Sequence, residues 1–575
     1  MRSGTSPGKG RAGTRNRPHD PAAVSAPAAA ELLVLGRIAT LAGDQGPAWV
    51  DGIAVSGGRV IAAGTASAVE ARSGAGTRRV TLPEDAVAIP GLTDAHLHLA
   101  ETAMAGQRVD LEGVSAIHEL AARVGRAADA TSDGWIIGGG WDPDQLGAWP
   151  TAEDLEAVVP GRRVALWAHD HHALLASTAA LRDAAIDDST ADPAGGIIRR
   201  DADGRATGVL HENAARLVAD IVPLPTTDDV RAGVETLQRE LLALGVIAVH
   251  DPGMLAARPG LGPGIDAYRQ LAADGNLAIR VHACVRADQL QSAIDEGLRS
   301  GQPLGPDPLG RLRMGWLKTF ADGSLGSRTA ALLAPLATEQ TTQAPAPEGG
   351  YGTWMTPPAE LGAQATRAAA AGIATQIHAI GDAAVHAALD ALAPTAGATP
   401  LMPRIEHAQL VADADVARFA ALRVAASVQP VHLRSDAGKA RRLWGERAEA
   451  RAFPFAALER ASAVLAFGTD APVEPIDPWP GLACAVTRAA PSWAAGTAAL
   501  GPKHAIPLWH AIRAACVGPA VTAGETDRGR LVVGSRADVV VVPRQVLEEP
   551  VAIGGALWHT RPIMVIADGE VAVGE

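Results

Sequence analysis

The amino-acid sequence predicts an α/β fold: a (β/α)8 TIM-like barrel with a small composite β-sandwich domain built from both ends of the chain. Three observations carry this expectation. Short apolar runs alternate with Ala/Leu-rich helical segments through the middle of the 575 residues, β-like runs broken by glycines fill both ends, and many central runs end in an ionisable residue followed by a turn. Strand, helix, strand is the pattern of parallel βα units. In a barrel the C-terminal ends of the strands build the face that carries chemistry.

Taken in order, residues 1–30 are basic, then rich in Pro and Ala, and lack the apolar core of a secretion signal; a disordered leader is expected. Residues 31–90 contain "LLVLGRIATLA", "WVDGIAVSGGRVIAAG" and "AVAIPG", and residues 525–575 contain "ADVVVVPRQV" and "PIMVIADGEVAVGE". Neither end holds enough strands to stand alone, so the two are expected to pair into one β domain. Residues 91–524 carry the βα runs "GVIAVHDPG", "AIRVHACV", "LRMGWLKTFADG", "GIATQIHAIGD", "PRIEHAQL", "RVAASVQPVH" and "AVLAFGTDAP". Within them, about 105–240 is less repetitive and holds Trp135, Trp141, Trp149 and Trp167; it reads as a cap-like insertion over the barrel mouth. The Thr/Gln/Pro/Gly stretch near 337–350 reads as a loop.

Composition narrows the function. Hydrophobic residues at 47% and charged residues at 20% are globular values. A net charge of -13 opposes binding to nucleic acid or an anionic membrane, which leaves a small molecule as the expected partner. Assembly as a homodimer is compatible with the sequence. Cys284, Cys484 and Cys516 are far apart and form no CxxC, so neither a disulfide framework nor a thiolate zinc site is indicated, and a reducing cytoplasm fits. No apolar run approaches the ~18 to 20 residues of a membrane helix.

The stretch "IPGLTDAHLHLAE", residues 89–101, places His96 and His98 one residue apart. On a strand such residues point to one side, where two neutral imidazoles can share a metal ion; two hydrogen-bonded structural histidines are the plain alternative. Further along, Lys318, His378, His407 and Asp470 close successive apolar runs. Lys318 is one of four lysines and sits in an apolar strand, where an unpaired ammonium is costly. His378 and His407 taken singly read equally well as core histidines, and Asp470 as a turn residue. Together, at successive strand ends, they point to a metal centre.

In its order HxH, Lys, His, His, Asp the chain resembles the metal-dependent amidohydrolase superfamily, and its strings resemble the large amidohydrolase branch that includes N-substituted formamide deformylases. Those strings are "PGLTDAHLHL", "GGGWDPDQL", "TGVLHENA", "LKTFADGSLGSRTAAL", "HAIGDAAVHAALD", "RIEHAQLV", "SVQPVH", "GTDAPVEPIDPW" and "GSRADVVV". The resemblance implies that His96 and His98 bind one divalent metal, His378 and His407 a second, and that a carboxylated Lys318 bridges two zinc ions. It implies that Asp470 is both a ligand and the catalytic residue, taking a proton from a metal-bound hydroxide or water and passing it to the leaving nitrogen.

Other candidates surround this set. Asp382 and Glu406 are placed to orient histidine ligands, Asp382 equally to cap a helix. Asp322 and Arg328 flank the lysine strand and are read as contacting substrate or locking the loop. His172 stands where the family has an Asp-Gly-His triplet, here Asp170, His171 and His172 without the glycine. Gln429 and His432 are substrate-side candidates, His250 and Asp251 a structural turn, and Trp141, Trp149 and Trp316 candidates for an apolar substrate pocket. The expected activity is hydrolysis of a non-peptide amide-type C–N bond in a small molecule, an N-substituted formamide or similar. The alternatives are a cyclic amidohydrolase or deaminase, and a barrel scaffold that has lost catalysis.

Overall fold

The computed structural model describes residues 29–574 apart from 45, 106–107, 131–133, 224, 255–259 and 338–346. The leader expected over 1–30 lies outside the described residues save for its last two, as does most of the loop near 337–350.

Eight short strands form the central parallel sheet: β1 (Leu92–Asp94), β2 (Val246–Asp251), β3 (Arg280–Arg286), β4 (Leu312–Phe320), β5 (Thr375–Ala379), β6 (Arg404–His407), β7 (Ala425–Val428) and β8 (Leu465–Phe467). They pair in chain order. The sheet curls until β8 returns to β1, where Ala95 N–H donates to the Phe467 carbonyl (2.9 Å) and Asp470 N–H to the His96 carbonyl (2.7 Å). Asp94 staples this seam, accepting from the Thr469 hydroxyl (2.6 Å) and from the His96 N–H (3.0 Å). Barrel closure and placement of the HxH pair therefore depend on the same few residues.

The strands are apolar where they face the outer helices and polar where they face inward. Inside, Arg404 is fully buried: it donates to the Ala95 carbonyl (3.0 Å) and the Gln376 side chain (3.0 Å) and pairs with Glu406 (2.7 Å). Its guanidinium lies 3.9 Å from the Trp316 ring. A buried cation is tolerated only when so completely partnered. Trp316 is thus a floor beneath the strand ends, with its indole N–H donated to the Met402 carbonyl (2.9 Å), and not a wall of the pocket.

Outside, helix Leu508–Thr522 packs on β8 so closely that a Cβ added at Gly518 would lie 1.8 Å from the Leu465 carbonyl. Gly518→Ala is expected to destabilise the fold by about 1–3 kcal/mol through overpacking, seen as a lower denaturation midpoint. The helix Thr227–Ala243 starts with a capping box in which Thr226 accepts from Asp229 N–H and the Asp229 carboxylate accepts from Thr226 N–H.

Both chain ends enter one eight-stranded sheet. The C-terminal strand Val539–Pro543 pairs antiparallel with Ala86–Pro90, and Met564–Ala567 and Glu570–Val573 follow on its far side. The sequence predicts a sandwich; the hydrogen bonds describe a single sheet that forks at Leu32–Ala39, which pairs with Trp49–Ser56, Arg78–Thr81 and Ala86–Pro90. Side chains alternate faces along a strand. Val539 and Val541 accordingly fill this sheet's own core while Val540 and Val542 join the barrel core.

The segment between β1 and β2 carries a six-stranded sheet of its own, with Trp135–Trp141, Arg163–Ala168, Ala173–Ala176 and Ala206–Glu212 among its strands. Its own apolar clusters take up most of its tryptophans: Trp141 is fully buried, donates to the Leu166 carbonyl (2.8 Å) and packs edge-on against Trp149 (5.9 Å). Among the described residues, no helix is long and apolar enough to cross a membrane.

Candidate metal centre

The ionisable strand ends converge. His96 and His98 follow β1, Lys318 lies near the end of β4, His378 on β5, His407 closes β6, and Asp470 follows β8. All six are buried and line one cavity of about 100 Å³. Ring centroids step from His98 to His96 (5.5 Å), His96 to His407 (5.1 Å) and His407 to His378 (4.5 Å). Two of these residues sit on left-handed backbone, His407 at φ 70° and Asp470 at φ 63°. Such conformations cost about 1–3 kcal/mol each and persist only where the surroundings impose them, as the Asp470 N–H bond to β1 does here.

Each imidazole is fixed by the nitrogen that faces away from its neighbours. His96 donates Nδ1–H to Glu406, whose other oxygen pairs with Arg404. His98 donates Nδ1–H to the Gly253 carbonyl (2.8 Å), a turn held by Asp251 through the Gly253 N–H (2.9 Å). His407 donates Nδ1–H to Gln429 (2.8 Å). His378 is bound through Nε2 to the Gly323 carbonyl (3.2 Å), which leaves its Nδ1. Outer partners of this kind set the tautomer and aim of metal-binding histidines.

The donor set fits a divalent cation. Ligand atoms of His96, His407 and Asp470 lie within 4.8 Å of one another, and the buried Nε2 of His96 has no hydrogen-bond partner although Asp470 Oδ1 is 3.3 Å away. His98 Nε2 is 3.6 Å from the same oxygen. Burial pushes all four histidines below their ordinary pKa, so they are neutral, as ligands must be. Burial alone would raise Asp470, but the cationic His432 beside it holds the carboxyl well below the usual range. Burial also pulls Lys318 down to about 8, and among the described residues its ammonium enters no ion pair. A part-neutral amine facing the cavity is the form that adds carbon dioxide.

The remaining candidates separate. His172 lines the cavity and pairs with Glu212 (2.8 Å), and His432 lines it 3.5 Å from Asp470. Burial would lower both, but Glu212 holds His172 up at about 9, and Asp436 and Asp470 hold His432 at about 10. Gln429 stands behind His407 and does not line the cavity. Asp322 is fully buried, accepts from the Ala331 (2.8 Å), Ile380 (3.0 Å) and Gly381 (2.9 Å) amides, and so locks the loop after β4 without facing substrate. Arg328, at φ 62°, is turned toward Asp144 (4.0 Å) and away from the cavity. Trp141 and Trp149 belong to the insertion's core, and Trp316 to the barrel floor. Asp382 accepts from the Leu333 N–H (2.8 Å) and orients no histidine. Glu406 does orient one, His96, rather than its sequence neighbour His407.

Several cavity residues escape sequence reasoning. Trp167, stacked on His171 (6.0 Å, 6° between planes), and Glu212 come from the insertion; Arg286, Phe320 and Met355 come from the barrel side. Trp167 has one signal in the sequence, the density of "WAHDHH", which packs five polar or aromatic residues into six positions. Glu406→Gln leaves an acceptor for His96 but removes the charge that balances Arg404. It is expected to weaken metal binding about 10- to 100-fold, read by competition with a chelator.

Comparison with known proteins agrees with this geometry. The amidohydrolase family matches residues 84–573. Protein LONG AFTER FAR-RED 3 of Arabidopsis thaliana is 33% identical over 81% of this chain and 79% of its own length. The N-substituted formamide deformylase of Arthrobacter pascens is 27% identical over 90% of this chain and 94% of its own. A crystal structure of an uncharacterized metal-dependent hydrolase from Pyrococcus horikoshii superposes with a TM-score of 0.69 at 30% identity, over 89% of this chain and 97% of that one. The chain belongs to the amidohydrolase family of metal-dependent hydrolases, enzymes that act on carbon–nitrogen bonds.

Proposed function

We propose that the protein hydrolyses an exocyclic amide of a small molecule, an N-substituted formamide or a near relative, at a two-metal centre held by His96, His98, Lys318, His378, His407 and Asp470. The observation that carries this is the convergence of four neutral histidines, one carboxylate and one unpaired lysine on a single buried cavity. Zinc suits the N/O donors, and the carboxylate formed on Lys318 would turn a costly buried cation into a bridging ligand. When bound, divalent metal lowers the pKa of water toward neutrality and polarises the amide carbonyl.

The chain's own groups do the rest. Asp470, ionised, accepts the proton of the attacking water and returns it to the departing nitrogen, so one carboxylate is base and then acid. His172 and His432, kept cationic by Glu212 and by Asp436 with Asp470, line the cavity as donors to oxygen that becomes negative during attack. The substrate is supported by the formamide deformylase likeness over nine-tenths of the chain. The test is formate release from N-benzylformamide by zinc-loaded protein, beside hydantoin and adenosine as ring substrates. Turnover of the formamide alone supports the reading; turnover of a ring alone replaces it.

A further inference from the structure

A cavity lined by charged groups that are all paired recognises a neutral ligand, whereas one unpaired charge asks for its opposite. The carboxylates of this cavity are all taken. Asp170 accepts from Ser327 (2.9 Å) and Ser324, Glu212 from His172 (2.8 Å) and Thr329, and Asp436 from Gln409 (3.1 Å), while Asp470 sits among the histidines. Lys318 aside, which the proposed metal centre uses, the cations are paired as well: His172 with Glu212, His169 with Glu474 (3.8 Å), and Arg216 with Asp288 (3.5 Å).

Arg286 is the exception. It closes β3 in register with Lys318 on β4, lines the cavity, and lays its guanidinium 4.4 Å from the Phe320 ring. Its Nη1 is buried with no hydrogen-bond partner, and among the described residues it forms no ion pair. The acids around it are committed elsewhere: Asp288 to Arg216, Glu101 to Arg108 (3.1 Å), Asp251 to Tyr268 (2.8 Å). A guanidinium can give a carboxylate two parallel N–H donors.

Resting on the amide-hydrolase reading of the same site, we infer that the natural substrate carries a carboxylate, an N-acylated amino acid or similar amido acid, and that Arg286 binds that carboxylate while the amide lies over the histidines. Met355, Ile380 and Leu325, which also line the cavity, leave room for an apolar side chain beside it.

The test compares N-formylphenylalanine with its neutral carboxamide, N-formylphenylalaninamide, on zinc-loaded wild type and Arg286→Gln, with kcat/KM and calorimetric affinity measured for both compounds. A charge-assisted pair predicts about a 10- to 100-fold preference of the wild type for the carboxylate, collapsing toward unity in the variant. Metal content, measured on the same samples, is expected to be the same in both. Equal affinity for the two compounds in the wild type, binding of neither, or loss of metal in Arg286→Gln overturns the inference, the last by assigning the guanidinium to the metal centre. A preference in binding without turnover of either compound upholds Arg286 and counts against the amide-hydrolase reading alone.

Discussion

Asp470→Asn is expected to lower kcat about 10²- to 10⁴-fold, the range over which a positioned proton-transfer group acts. Asparagine keeps the shape of the side chain and one oxygen for metal, and the backbone contact that holds position 470, its N–H on the His96 carbonyl (2.7 Å), is untouched. What it loses is the ability to take a proton. Steady-state kinetics with metal measured on the same preparation separate this from ligand loss: kcat falls, KM moves little, and the metal remains. A variant within tenfold of wild-type kcat would remove Asp470 from the proton path.

On the two-metal reading, Lys318→Ala is expected to abolish activity and to release metal, because Lys318 is the one lysine lining the cavity with the four histidines and its proposed carboxylate has no substitute there. The strand itself should survive: Lys318 makes no ion pair among the described residues, its Nζ lies 4.7 Å from the Phe320 ring, and its strand neighbours Leu317 and Thr319 are buried. The thermal midpoint of metal-free protein therefore changes little, while added zinc stabilises wild type far more than variant, since a ligand that binds only the folded state raises its stability. Acetate or formate at high concentration, seated in the space the lysine leaves, should restore part of the activity. Undiminished metal binding in the variant would remove Lys318 from the centre.

The barrel and the convergence of ionisable residues at its strand ends are legible in the sequence because both follow local rules. A run such as "ATQIHA" is apolar, short and ends in its functional residue, and eight of these in parallel must bring their ends together. His96 and His98 meet in one cavity although they lie just past β1, so the strand period on which the sequence reading rests does not apply to them. The substrate side was not legible, since it depends on how the insertion's sheet sits above the barrel. Trp141 shows why: an indole looks the same in sequence whether it meets ligand or protein, and only its bond to the Leu166 carbonyl places it in the core. Arg328 is read from sequence as contacting substrate or locking its loop, and only the fold shows its guanidinium near Asp144 (4.0 Å). Glu406 was read correctly as a support, yet for which histidine only the fold could tell, because His96 is 310 positions away in the chain. Arg286 went unnoticed since an arginine ending a strand is ordinary, and its significance lies in the partner it does not have.

A divalent-metal centre at the strand ends is the feature on which the proposed chemistry depends. Metal content by plasma mass spectrometry on full-length protein, purified without chelators, tests it before any substrate is known. The two-metal proposal predicts about two divalent ions per chain, as in two-metal hydrolases. Protein that holds no divalent metal, even after dialysis against zinc, would contradict it.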